Sequence, residues 1–327
     1  MTTPLLSLDS VETSFSTRNG LVRAVNDVSL DIGRGEILGL VGESGSGKSV
    51  TGFSVLGLVE PPGRVTSGRI HFDGADLLGL NQTQIRKLRG KRIAMIFQDP
   101  MMTLNPVMRV GDQMIDAVLA HDRVSRIEAR TRSRDALATV GIPSPEERLD
   151  AYPHQLSGGM RQRVAIAIAI LHKPDLIIAD EPTTALDVTI QSQILVEVQK
   201  LTRENHMALM WISHDLSVVA RLADRVAVMY AGRIVEQGPI EEVIGTPRHP
   251  YTLGLIRSLP GQTTRGQRLT QIPGSMPSLA HLPSGCAFRD RCFRADATCT
   301  DHPPYETPVS ASGHTVRCFH PLQAGNE

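Results

Sequence analysis

Apolar and polar positions alternate along this chain in short blocks that predict strands and helices in turn. In VSLDIGRGEILGLVG, short apolar runs flank Gly33-Arg34-Gly35, as two strands joined by a tight turn would. EILGLV is a continuous apolar run ending in a glycine-rich loop, which predicts a central parallel strand buried on both faces. GRIHFDGADL predicts another strand with a turn at Asp73-Gly74, and KRIAMIFQ a further strand. Residues 107 to 140 carry helical spacing with Arg, Asp and Glu on one side, so they read as solvated helices. GGMRQRVAIAIAILHKPD predicts a helix that stops at Pro174, and DLIIADEP a second buried strand. IQSQILVEVQKLTREN is an amphipathic helix, ALMWISHD another strand, and VAVMYAGRIVEQGP a hairpin turning at Ala231-Gly232. This alternation implies an α/β fold with a mostly parallel sheet.

After about Gly238 proline becomes frequent and strand periodicity fades, which places a boundary near residue 240. The remainder reads as a helical connector containing HPYTLGLIRSL, followed by a segment that holds all four cysteines.

Composition narrows the function. The chain has 327 residues, 41% hydrophobic and 21% charged, ordinary values for a globular protein. Lys and Arg together number 34, as do Asp and Glu, so the basic excess of a dedicated nucleic-acid binder is missing. One Trp and four Tyr leave few stacking platforms for single strands. The N-terminus, MTTPLLSLDSVE, has neither a basic n-region nor a long apolar core. The longest uninterrupted apolar run, Val164 to Leu171, falls well short of the roughly 20 residues that span a bilayer. A cytosolic setting is therefore expected. It disfavours disulfides and leaves the cysteines as metal ligands or free thiols.

GESGSGKS, Gly42 to Ser49, matches G-x-x-x-x-G-K-[ST] and follows a buried strand. Glycines at these positions let backbone N–H groups turn inward around phosphates, and the helix that follows aims its positive end at them. Lys48 then reaches the β and γ phosphates and the Ser49 hydroxyl binds Mg²⁺. LIIAD, Leu176 to Asp180, is a strand that delivers a carboxylate beside that ion. Glu181 follows at once, placed to orient and deprotonate an attacking water. LSGGM, Leu156 to Met160, precedes a helix, so Ser157, Gly158 and Gly159 form a second helix-terminal phosphate cradle. One chain does not need two cradles for one nucleotide. Two chains facing each other, each cradle closing on the other's ATP, would use both.

This set resembles the ATP-binding-cassette ATPases over roughly residues 5 to 240, through GESGSGKS, IFQDP, LSGGMRQR, LIIADEP, TALD and ISHD. The resemblance implies a P-loop core with an antiparallel β-subdomain, a helical subdomain at about 100–165, and a small irregular metal-binding extension over 241–327. It assigns Gly42, Ser44, Gly45, Ser46, Gly47, Lys48, Ser49 and Val50 to ATP, with Phe15 stacking on adenine. Mg²⁺ falls to Ser49, Gln98 and Asp180. Catalysis falls to Lys48, Glu181 and His214, and Asp187 bridges two cassettes. Within the family, MIFQDPMMTLNP, RHPYTLGLIRSLP and IPGSMPSLAHLPSGCAFRDRC resemble ATP-binding subunits of bacterial dipeptide/oligopeptide importers. That implies a second, paralogous cassette, two transmembrane permease subunits and a periplasmic or extracellular substrate-binding protein. It also implies a peripheral location on the cytoplasmic face of the inner membrane, with no nucleic acid as partner. Cassettes that act on nucleic acid or the ribosome usually carry a second cassette or a long insertion before the signature motif. The compact interval from Gln98 to Leu156 speaks against that alternative, and intact Glu181 and His214 speak against an inactive interaction subunit.

Cys286, Cys292, Cys299 and Cys318 lack the close C-x₂₋₄-C pairs usual for zinc. Fe–S clusters are commonly held by four cysteine thiolates, and their spacings vary more widely. A metal centre can supply folding energy that a short, proline-rich extension cannot draw from a core. Arg289, Arg291, Arg294 and Arg317 are expected to offset the thiolate charge, and His281, His302, His314 and His320 leave a mixed site open. The resemblance points to a [4Fe–4S] cluster, with Zn²⁺, free thiols or disulfides as alternatives, and a structural role is expected because the cysteines lie outside the ATP machinery.

Overall fold

The computed structural model describes residues 3–18, 20–183, 188–259 and 271–323. The chain forms two compact units, one made of Met1–Gly33, Ile37–Leu78 and Trp211–Glu327, the other of Arg34–Glu36 and Gly79–Met210.

In the first unit, β1 (Leu6–Thr17) pairs antiparallel with β2 (Gly20–Ile32). β2 buries alternate residues near its end, Val28, Leu30 and Ile32, while Asp31 faces out. β3 (Ile37–Val41) is buried at every position. α1 (Lys48–Leu56), β4 (Gly63–Phe72) and β5 (Ala75–Asp76) follow. β4 joins β1 and β5, giving the antiparallel order β2-β1-β4-β5. The turn expected at Asp73-Gly74 is present, both residues having positive φ, 49° and 79°.

The second unit carries α2 (Gln82–Leu88), β6 (Ile93–Ile96), α3 (Val110–Leu119), α4 (Arg126–Thr139), α5 (Pro145–Leu149) and α6 (Gly158–Ile170). β7 (Leu176–Asp180), α7 (Val188–Asn205) and the start of β8 (Ala208–Ser213) complete it. β7 is fully buried and runs parallel to β6, pairing Ile93 with Leu176. Ile115, Val118 and Ala129 form a core between α3 and α4, with Leu119, Val124 and Leu171 packed against it. α6 ends at Ile170, four residues short of the proline expected to stop it, and Lys173 then takes a left-handed conformation, φ 48°.

Back in the first unit come α8 (Leu216–Leu222), β9 (Arg225–Tyr230), β10 (Arg233–Pro239), α9 (Ile240–Gly245) and α10 (Pro250–Arg257). Two short strands close the chain, β11 (Thr307–Pro308) and β12 (Thr315–Val316). β9 and β10 form the expected hairpin, with Ala231 and Gly232 at φ 46° and 85°. β3 lies parallel beside β9, pairing Leu38 with Arg225, and β12 adds to the far edge of β10.

The tight turn at Gly33-Arg34-Gly35 does not make a hairpin. β2 stays with β1, and β3 joins β9. The reason is burial. β2 alternates and fits a sheet with one wet face, whereas β3 is apolar on both faces and needs neighbours that cover both. Among the described residues no helix is long and apolar enough to cross a membrane.

Candidate functional site

The phosphate loop follows β3 directly. Gly42 has φ 156°, and a Cβ there would lie 2.1 Å from the Met229 carbonyl oxygen, so only glycine fits. Gly47 has φ 108° and caps α1 without a side-chain hydrogen bond, which leaves the first N–H groups of the helix facing the loop. Lys48 is buried, and its Nζ donates to the carbonyls of Gly42 at 2.8 Å and Glu43 at 3.0 Å. Ser46 Oγ is buried with no hydrogen-bond partner, an orphan that an anionic ligand would satisfy. Ser44 and Gly45 are exposed, and Ser49 and Val50 are half-buried in the first turn of α1. These features fit a polyphosphate. Phe15 is half-buried with its ring against Gly63 Cα, and His214 is exposed in the bend after β8.

The second unit assembles the other groups. Asp180 ends β7 and is buried. Glu181 follows in a left-handed conformation, φ 44°, and its Oε2 accepts a hydrogen bond from Gln98 Nε2 at 3.2 Å. Ser157 caps α6, its Oγ accepting from the Met160 N–H at 3.3 Å. Gly158 and Gln98 line one cavity of about 200 Å³ with Arg161 and Pro182. The branched side chain of Ile190 closes on Gly159, where a Cβ would sit 3.0 Å from Cγ2. Asp187 lies outside the described residues.

The four cysteines, all between residues 286 and 318, line one small cavity with His249, Phe288 and His320. The Cys286 N–H donates to the Cys299 carbonyl at 2.9 Å, closing the intervening loop. Burial pushes the thiols of Cys286, Cys292 and Cys318 up, and the neighbouring thiols push further, taking Cys318 to about 12. Thiols so crowded and desolvated stay protonated unless a cation joins them, which is the donor chemistry of a metal site. Asp296, Cys299 and His320 also bring ligand atoms within 4.8 Å of one another, so of the four histidines His320 is the one beside the thiols. His314 is taken by Glu236, Nε2 to Oε1 at 2.8 Å.

The arginines do not serve the thiolates as expected. Arg291 pairs with Glu43 and Arg317 with Asp27, at 2.9 and 2.7 Å, because carboxylates from the first part of the chain reach them. Arg289 binds Asp290 and Ser284. Arg294 favours a thiolate at Cys292 against the larger effect of burial, its N–H pointing at Cys292 Sγ across 3.4 Å, and the Arg289 N–H does the same for Cys286. Sequence reasoning missed the Glu43–Arg291 pair altogether, since 248 residues separate the partners.

Residues 25–184 match the family described as ABC transporter, and residues 235–299 match that described as oligopeptide/dipeptide transporter, C-terminal region. The "Probable D,D-dipeptide transport ATP-binding protein DdpD" of Escherichia coli (strain K12) is 49% identical over 99% of this chain and 98% of its own. The dipeptide transport ATP-binding protein DppD of Bacillus subtilis (strain 168) is 48% identical over 96% and 94%. Among solved structures, the dimeric post-hydrolysis state of the ATP-binding cassette MJ0796 bound to ADP and Pi superposes with a TM-score of 0.65 at 26% identity. It covers 72% of this chain and 98% of that one. The chain belongs to the ATP-binding-cassette transporter family, in its oligopeptide/dipeptide branch.

Proposed function

We propose that this chain is the ATP-hydrolysing subunit that powers import of di- or oligopeptides, or related small solutes, across the bacterial inner membrane through a partner permease. The observation that carries this reading is likeness along the whole chain to peptide-transport ATP-binding proteins. Residues 1–240 are the nucleotide-binding domain, its helical subdomain at about 100–165, and residues 241–327 the extension.

The loop from Gly42 to Val50 wraps the phosphates, Lys48 places its charge on them, and Phe15 stacks on the adenine. Ser49, Asp180 and Gln98 would hold Mg²⁺, which when bound would supply positive charge beside the transferring phosphate. Glu181 accepts the proton of the attacking water, and His214 contacts the γ-phosphate. Ser157, Gly158 and Gly159 serve the ATP of a second cassette, with Asp187 at the joint. That second cassette is a paralogous subunit, so the pair is a heterodimer. It works on the cytoplasmic face beneath two permease subunits, supplied by a periplasmic or extracellular binding protein.

Cys286, Cys292, Cys299 and Cys318 hold a metal centre that organises the extension, a [4Fe–4S] cluster in preference to Zn²⁺. Their convergence on one cavity supports four-thiolate ligation.

Reconstitution with the paralogous ATPase, permeases and binding protein tests the function. ATP hydrolysis should rise when a di- or tripeptide is supplied. Full-rate hydrolysis by the isolated chain, independent of its concentration, would overturn the two-cassette reading.

A further inference from the structure

The extension grips the phosphate loop at Glu43 and beside it. The Tyr251 hydroxyl accepts the Glu43 N–H at 2.9 Å. Nη1 of Arg291 donates to both Glu43 carboxylate oxygens, at 2.9 and 3.1 Å. A Cβ built on Gly45 would lie 3.3 Å from Met276 Cε, so that methyl group rests against the loop. From the loop's own side, Lys48 Nζ donates to the Glu43 carbonyl at 3.0 Å. Amide, carbonyl and carboxylate of one loop residue are all engaged, two of the three by the extension.

Arg291 is itself fixed. Its side chain is 6% exposed, its Nε donates to the Pro273 carbonyl at 2.8 Å, and its Nη1 reaches the Tyr230 hydroxyl at 3.3 Å. The guanidinium lies 5.7 Å from the Tyr230 ring centroid and 5.8 Å from that of Phe288. A planar fork held at several points dictates where its carboxylate partner sits.

We propose that Arg291 is a positioning residue for ATP binding, holding and neutralising Glu43 in the phosphate loop, and that the cysteine segment sets nucleotide affinity through it. Charge gives the effect its sign. Glu43 is a carboxylate inside a loop that binds polyphosphate, and without Arg291 it repels the ligand that its neighbours attract. The second half of the proposal rests on the reading of the cysteines as metal ligands. Arg291 closes the turn Arg289–Arg291, which ends against Cys292 and begins three residues after Cys286. Holding those two thiols holds the turn, and releasing them frees the guanidinium.

Binding of a fluorescent ATP analogue to the purified full chain tests this. Arg291→Ala should raise Kd about tenfold, the scale expected for one uncompensated charge near the phosphates. KM for ATP should rise in step while kcat changes less. Adding Glu43→Gln to Arg291→Ala should return Kd to that of the Glu43→Gln variant, because the repelling charge is gone. An unchanged Kd in Arg291→Ala, or no recovery in the double variant, overturns the proposal. Should Arg291→Ala not fold, Arg291→Gln carries the test, since it keeps much of the side chain and loses the charge, and an unchanged Kd there is equally fatal. Metal stripped by a chelator should raise Kd in the unmodified protein and produce no further change in Arg291→Ala. Equal rises in both would sever the cysteine link, and a protein that binds no metal would remove that half alone, the Arg291 variants still deciding the first.

Discussion

Gln98 Nε2 donates to Glu181 Oε2 across 3.2 Å, and Glu181 holds this contact from a left-handed backbone directly after buried Asp180. Such a conformation costs a non-glycine residue about 1–3 kcal/mol and is common where chemistry fixes a side chain. Glu181→Gln keeps the shape and loses the base. Turnover should fall by about 10²–10⁴ while ATP still binds. Rapid-quench hydrolysis beside equilibrium ATP binding checks both, and gel filtration should show an ATP-closed dimer accumulating.

Lys48 has a different signature. Its Nζ rests on the Gly42 and Glu43 carbonyls, poised at the mouth of the loop. Lys48→Ala removes the positive charge from the phosphate site, so ATP affinity itself should drop, by about tenfold or more. Titration calorimetry separates this outcome from that of Glu181→Gln.

Glu236 anchors the extension. Its buried carboxylate accepts from the Arg248 and His249 N–H groups, at 2.6 and 2.9 Å, and lies 2.8 Å from His314 Nε2. Glu236→Ala orphans two backbone donors and a buried ring. A loss of about 3–5 kcal/mol is expected, read as a lowered Tm and as faster proteolysis after residue 240.

His249 predicts a pH dependence. Burial drives its pKa from 6.5 down to about 4, against the opposing pull of Glu236. The unfolded chain therefore takes up a proton that the folded chain refuses between about 6.5 and 4. This contribution is intact above pH 6.5 and is lost as pH falls through that window, by about 3 kcal/mol at most. His249 Nδ1 also accepts the Tyr251 N–H at 3.0 Å, a cap that Asn can replace. His249→Asn should flatten the slope of Tm against pH across this range.

The cysteine set is open to direct analysis. Anaerobic purification should yield a coloured protein with iron and sulfide in equal amounts, about four of each per chain. A colourless protein with one zinc, or with no metal, rejects the cluster. Cys292→Ser should lower both metal content and assembly with the partner subunits.

The sequence made some of this plain and hid the rest. The β3–loop–α1 unit is legible because Gly42, Gly47, Lys48 and Ser49 stand at fixed spacing within eight residues and the positive φ of both glycines belongs to the loop itself, although the Met229 and Ala24 carbonyls that also exclude side chains there are distant in sequence. The Asp73-Gly74 and Ala231-Gly232 turns were legible for the same reason. Pairings fixed by distant partners were not. Leu38 finds Arg225 only once the sheet is built, and nothing near Gly33-Arg34-Gly35 says that β2 and β3 part company. Arg291 lies among cysteines in sequence and looked like their counter-charge, yet folding brings it to Glu43. Phe288, which lines the cysteine cavity, and Tyr251, which packs against Phe288 and Tyr230, give no sign in the sequence beyond being aromatic.

The pairing of β12 with β10 has a consequence for solubility. Glu236 and Gln237 face Val316 and Thr315, and the Arg317 N–H donates to the Val235 carbonyl at 2.8 Å. Without these partners β10 would present a bare row of backbone groups, a template on which a neighbouring chain could add a strand. The outermost position falls instead to β11, two residues long and ending in Pro308, which has no N–H to offer. The tail is thus a terminator for sheet growth, and a chain shortened before Thr307 should self-associate even where its ATP site is complete.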